Sequence, residues 1–374
     1  MGATQKNRRK TMKKIVSVVL CLAMLIAGCV VFASCSAKTY EIAIVTDVGQ
    51  LMDGGFNQGT YEGAKEYAEA NKLTYKYYQP ANGTDANDND RIAAMRQAIN
   101  NGAKIIVTPG YLQATAIDTV AKEHPEVKFV FVDGWAMGID NVTAIIYKEQ
   151  ECGYMAGYAV VKEGFTKLGY TGGGGGTNPA CNRFGYGFVQ GAEAAAKELS
   201  KEITIKYSYK YGEGFSASTE LQTQIAGWYA NGTEVVFSCG GSMLQSVKSA
   251  AAEYPNAKIV GVDVDQSKES TQVITSAMKG LSVSVKQVLG QFYAGKWDAE
   301  LKNKAQNLGA KENATGLPTA DGSWRFTKFT KDEYNALFAK IADGTLVPNG
   351  NVPENANNGD WLKEGLTNTT IDFE

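Results

Sequence analysis

The chain has 374 residues, 44% of them hydrophobic and 20% charged, which is enough to bury two ordinary cores and far from the composition of a disordered protein. Its 37 basic and 39 acidic residues are spread along the chain and leave a net charge of −2, so nucleic acid is not expected as a partner. A single histidine, His124, leaves almost no material for imidazole acid–base chemistry or for a metal site, and neither metal nor cofactor is expected.

In chain order, Arg8, Arg9, Lys10, Lys13 and Lys14 precede an apolar stretch from Ile15 to Ala33 that ends among small residues and cysteines, the order of an export signal. Two segments, Leu25–Cys29 and Phe32–Cys35, resemble the box at which bacterial lipoproteins are cut and acylated. Cys35 is preferred to Cys29, because Ser36-Ala37-Lys38 is polar whereas Val30-Val31-Phe32 would leave an apolar stub on the mature surface. A retained membrane-spanning helix is the alternative, since the stretch is nearly long enough to cross a bilayer. Either way the body is expected outside the cell membrane, and tied to it by a lipid in the first case. Cys152, Cys181 and Cys239, an odd trio without C-x-x-C spacing, read as buried thiols rather than a disulfide framework or zinc site.

Short β-rich runs then alternate with helical stretches. In the first half the expected strands are 41–46, 74–79, 104–108, 128–132 and 142–147, with helices over 56–70, 90–100 and 111–123. In the second half strands are expected at 167–171, 203–209, 234–239, 258–262 and 272–276, with helices over 183–199, 218–231, 243–254 and 283–293. That rhythm is the signature of an α/β protein with two doubly wound parallel-sheet lobes joined by a hinge. The expected division is a signal peptide at 1–35, an N-terminal lobe of 40–148 plus about 277–305, a C-terminal lobe of 149–276 plus about 306–348, and a tail at 349–374 without interpretable pattern.

Ligands of doubly wound sheets gather beyond the carboxyl ends of the strands. Those ends carry Asp47, Pro109-Gly110, Asp133-Gly134-Trp135, Gly240-Gly241 and Asp263-Val264-Asp265. Glycine lets backbone approach a ligand closely, and a carboxylate accepts hydrogen bonds from neighbouring hydroxyls. One such aspartate alone is more often a helix cap or turn residue; their recurrence in both halves points to a site. The run Gly172–Gly176 lacks a following Gly-Lys-Ser/Thr and reads as a strand-end turn, not a phosphate loop.

Val45-Thr46-Asp47-Val48-Gly49, Asp53–Gly59, Phe131–Gly134, Arg183–Phe188, Gly261–Gln266 and Thr275–Lys279 together resemble the basic membrane protein family, from about Tyr40 to about Pro348. The family comprises bacterial lipoproteins of type I periplasmic binding protein fold, including purine nucleoside receptors of ABC importers. The resemblance implies that Asp47 contacts the ligand, that Phe56 and Phe215 stack on a purine from opposite lobes, and that Asn57 and Asp133 read its edge. It also implies that Gly240 offers backbone and that Asp263 and Lys279 hold the ribose. Ala217 departs from the family, which often carries an acidic residue there, and leaves the exact ligand open. The implied partners are a purine nucleoside and an ABC permease, with the protein acting as a monomer and not as an enzyme. A sugar or signalling-molecule receptor of the same fold is the alternative, with a nucleoside-processing enzyme behind it.

Overall fold

Runs such as Ile42–Val45 and Phe129–Val132 are buried throughout, as strands covered by helices on both faces must be. A computed structural model describes residues 39–374 except Gly49; the expected signal peptide and both candidate acylation sites, Cys29 and Cys35, lie outside the described residues. Among the described residues no helix is long and apolar enough to cross a membrane.

The first sheet contains β1 (Ile42–Val45), β2 (Tyr75–Tyr78), β3 (Ile105–Pro109), β4 (Lys128–Val132), β5 (Val142–Tyr147) and β11 (Ala305–Leu308). Its order is β11-β5-β4-β3-β1-β2, and every pairing is parallel. Side chains alternate between its faces. Ile42 and Ile44 pack towards α1 (Phe56–Ala70) and α8 (Leu281–Tyr293), whereas Ala43 and Val45 pack towards α2 (Asp88–Asn100) and α3 (Ala114–Glu123).

The second sheet contains β6 (Lys167–Gly172), β7 (Ile203–Ser208), β8 (Val235–Cys239), β9 (Lys258–Asp263), β10 (Val273–Lys279), β12 (Thr315–Gly316) and β13 (Thr369–Phe373). Its order is β12-β10-β9-β8-β6-β7-β13, with only β12 antiparallel to its neighbour. It is covered by α4 (Glu149–Glu163) and α5 (Pro179–Leu199) on one face and by α6 (Thr219–Ala230) and α7 (Met243–Ala251) on the other. Both sheets are doubly wound, and strand order reverses between β1 and β3 in one and between β6 and β8 in the other.

The chain therefore passes between the halves more than once. The boundaries expected at about 277 and 306 fall within β10 and β11. β10 stays in the second sheet to its last residues, where Met278 pairs with Asp263 and Lys279 with Thr315. β11 stays in the first sheet to Leu308, paired with Tyr147. Residues 349–374 are built into the second half, where β13 lies parallel to β7 at the sheet's edge.

Two helices are absent from the expected series: α4, and α9 (Lys331–Ala342). α4 is buried nearly all round and so lacks a one-sided apolar stripe. It lies against α5 with backbones almost touching: a Cβ at Gly157 would sit 2.0 Å from the Phe188 carbonyl oxygen, and one at Gly191 1.9 Å from that of Tyr154. α5 begins earlier than expected, at Pro179, because the Asn178 side chain caps it by accepting the Cys181 N–H at 2.9 Å.

Candidate functional site

The two points of strand reversal put glycine and carboxylate together. After β1 and β3, the Asp47 carboxyl lies directly on Gly110, where a Cβ would come within 1.8 Å of Oδ2. After β6 and β8, Gly173 and Gly240 meet in the same way, and Gly173 N–H donates to the Cys239 carbonyl at 2.8 Å. A cavity opens between these points. All eight expected ligand residues line it.

Local structure explains how each side chain arrives there. Asp53 accepts the N–H groups of Gly55, Asn57 and Gln58 at 2.8 to 3.1 Å and so caps α1, whose first residue is Phe56. Asp133 and Asp263, at the ends of β4 and β9, are in left-handed backbone conformation (φ +57° and +66°), which aspartate tolerates better than most residues. Phe215 is left-handed too (φ +56°), which for a bulky residue stores strain of about 1–3 kcal/mol. Its ring rests on bare backbone: a Cβ at Gly173 would lie 2.3 Å from it and one at Gly240 3.2 Å.

At one end of the cavity the Lys279 ammonium, only 2% exposed, lies 2.6 Å from Asp133, 3.4 Å from Asp263 and 3.7 Å from Glu149. It also stands 4.7 Å from the centre of the Phe56 ring. Arg183 pairs with Glu149 at 2.6 Å. Burial favours a neutral amine, but Asp133, Asp263 and Glu149 outweigh it and hold the Lys279 pKa well above its usual value. Burial pushes the Asp133 carboxyl up to about 6 against the pull of Lys279, and it raises Asp263 as well. Burial also pushes Asp47 up to about 7, against a hydrogen bond from the Val48 N–H and the nearby Arg91 guanidinium.

The arrangement differs from the expectation at two residues. Asp133, expected at the edge of a base, is drawn onto Lys279 at the same end as Asp263, because the ion pair holds it there. Asn57, expected both to donate and to accept, has given its amide N–H groups to the carbonyls of Val48 (3.1 Å) and Gln50 (3.5 Å). Its Oδ1 is buried without a partner, and so is Oδ1 of Asp133. Each is an acceptor awaiting a donor.

Sequence reasoning missed Glu149, Arg183, Asn178 and Phe184. Glu149 opens the unrecognised helix α4, and Arg183 meets it only because α4 and α5 cross so closely. Cys181 and Cys239 do line the cavity, as free buried thiols.

The chain is similar to known proteins over most of its length. A nucleoside-binding protein of an ABC transporter from Lactococcus lactis is 30% identical over 303 residues, 74% of this chain and 82% of that one. A protein of Pyrococcus horikoshii described as a lipoprotein is 25% identical over 334 residues, 84% of this chain and 78% of that one. A solved solute-binding protein of an ABC transporter from Aeropyrum pernix superposes with a TM-score of 0.65 at 20% identity, covering 83% of this chain and 88% of that one, a likeness that bears on fold alone. The fold is that of type I periplasmic binding proteins. The model of one family matches residues 40–346, and by that match the chain belongs to the Bmp family of PnrA-like ABC transporter substrate-binding proteins.

Proposed function

We propose that the protein captures purine nucleosides in this cavity and delivers them to the permease of an ABC importer, as a monomer anchored on the outer face of the cell membrane by a lipid on Cys35 (or Cys29). The observation that carries the reading is that Phe56 and Phe215, one from each half, line one cavity whose buried unpaired atoms are acceptors. A purine between two rings gains roughly 1–3 kcal/mol per stacked base, whichever purine it is. Identity then comes from donors on the ligand: base N–H groups for Asn57 Oδ1 and Asp47, and ribose hydroxyls for Asp133 and Asp263 beside Lys279. An unmet buried acceptor costs about 1–3 kcal/mol, so a ligand that meets these is favoured over one that does not.

Two rings on one ligand are not needed for a simple sugar. Thermal-shift screening of nucleosides against pentoses and hexoses tests the reading: stabilisation by purine nucleosides and not by free sugars supports it, and the reverse order refutes it. Chromatography of inosine and adenosine after incubation is expected to show no free base, as fits a binding protein that works by closure.

A further inference from the structure

Residues 349–374 lie beyond the family match, which ends at 346, yet they are fastened along most of α5. Asn182, Tyr186, Gln190, Glu193 and Lys197 recur every third or fourth residue and so form one stripe on that helix. Gln190 exchanges two hydrogen bonds with the backbone of Asn349, at 2.8 and 2.9 Å. Tyr186 packs edge-on against Trp361, and Lys197 reaches the Gly365 carbonyl at 3.2 Å. Glu193 accepts from Thr367, Asn368 and Thr369 at 2.6 to 3.3 Å. β13 then joins β7, and the Glu374 carboxylate is held by Lys206 at 2.6 Å and Trp228 at 3.0 Å.

At one place this segment touches the glycine turn that lies under the Phe215 ring. The Ala356 N–H donates to the Gly176 carbonyl at 2.9 Å, and the same oxygen accepts from Asn182 at 3.0 Å. The Asn357 amide fills the space where a Cβ of Gly176 would stand, 2.2 Å away. The turn so held is Gly173-Gly174-Gly175-Gly176, and the Phe215 ring lies on its first two residues. Four successive glycines form the most permissive backbone a chain can have, so the shape of this turn has to be imposed from outside it.

We propose that residues 349–374 are a strap that holds the glycine turn in one shape and thereby positions the Phe215 ring for stacking; the proposal rests on the nucleoside reading above. The strap residues touch no ligand and act only through Phe215. Ala356→Pro deletes the N–H that grips Gly176 while leaving β13 in the sheet; a chain ending at 348 removes the strap altogether. Adenosine and inosine affinities are measured by titration calorimetry for each variant, alone and combined with Phe215→Ala, after circular dichroism confirms folding. The expected result is a loss of about tenfold for either strap variant when Phe215 is present and no further loss when it is alanine, the non-additivity that marks action through one residue. Equal losses in both backgrounds, or none in either, would overturn the proposal. If the shortened chain does not fold, Ala356→Pro decides alone. Phe215→Ala binding as tightly as the unaltered protein would overturn the stacking reading itself, and the strap's role with it.

Discussion

Lys279 is the residue on which the two halves converge. It ends β10 of the second sheet, pairs with Asp133 of the first, and faces Asp263 and Glu149 as well. Replacing it with methionine would leave Asp133 and Asp263 buried without their cation, while Glu149 keeps Arg183, and removing one partner of a buried pair costs about 3–5 kcal/mol. Lys279→Met is therefore expected to lower the unfolding free energy by that order in urea titration, with nucleoside binding lost. Asp47 makes a second prediction. Its carboxyl is raised to about 7, above the ordinary carboxylate value it takes in the unfolded chain, so the native state binds the extra proton in between. The stability this contributes is present in mild acid and is lost as pH rises through about 7; Asp133, raised to about 6, acts in the same direction. The ligand-free protein should melt several degrees lower at pH 8 than at pH 5, and Asp47→Asn should flatten that slope. The aspartates were legible in the sequence because they stand at strand ends, whereas the partners of Asp133 and Asn57 were not, since hydrogen bonds made across the fold decide them.

At the scale of elements, α5 carries two loads. One face meets α4 through glycine, and this brings Arg183 to Glu149; the stripe through Gln190 and Glu193 holds residues 349–374. Burial opposes ionisation of Glu193, yet hydrogen bonds from Thr369 and Thr367 and the Lys197 ammonium outweigh it and hold the carboxyl at about 2. Its stabilising contribution is present above the ordinary carboxylate range and fades as pH falls through about 2. Glu193→Ala strands the donors of Thr367, Asn368 and Thr369 and is expected to cost about 1–3 kcal/mol; limited proteolysis should then release the C-terminal segment first. Central strands such as β1, β3 and β8 were legible because parallel strands buried on both faces are nearly continuous apolar runs. β11, β12 and β13 were not, because short polar segments such as Ala305–Leu308 become strands only by pairing with a formed sheet edge. α4 escaped because close packing removed its polar face.

For the whole molecule, contacts bridge the halves beside the cavity: Gln266 donates to the Gly54 carbonyl at 2.9 Å, and Lys279 meets Asp133. A ligand that satisfies the buried acceptors between them favours this closed arrangement over an open one. The carboxyl groups of Asp47, Asp53, Asp133, Glu149 and Asp263 outnumber the cations Lys279, Arg183 and Arg91 around the site, so above about pH 7, where Asp47 and Asp133 are largely ionised, an added phosphate would meet net negative charge at short range. Nucleoside 5′-monophosphates are expected to bind at least about a hundredfold more weakly than the nucleosides in a competition titration. The likeness of the two doubly wound halves could be read from strand rhythm, and a return of the chain to the first half after about 277 was expected; β11 itself was not, because it depends on pairing between distant segments. The most direct test is titration calorimetry of adenosine and inosine into the ligand-free protein and into Phe56→Ala. One nucleoside bound per protein, weakened by about 5- to 150-fold in the variant, is the predicted result; no binding to the unaltered protein, or equal affinity in both, would contradict it.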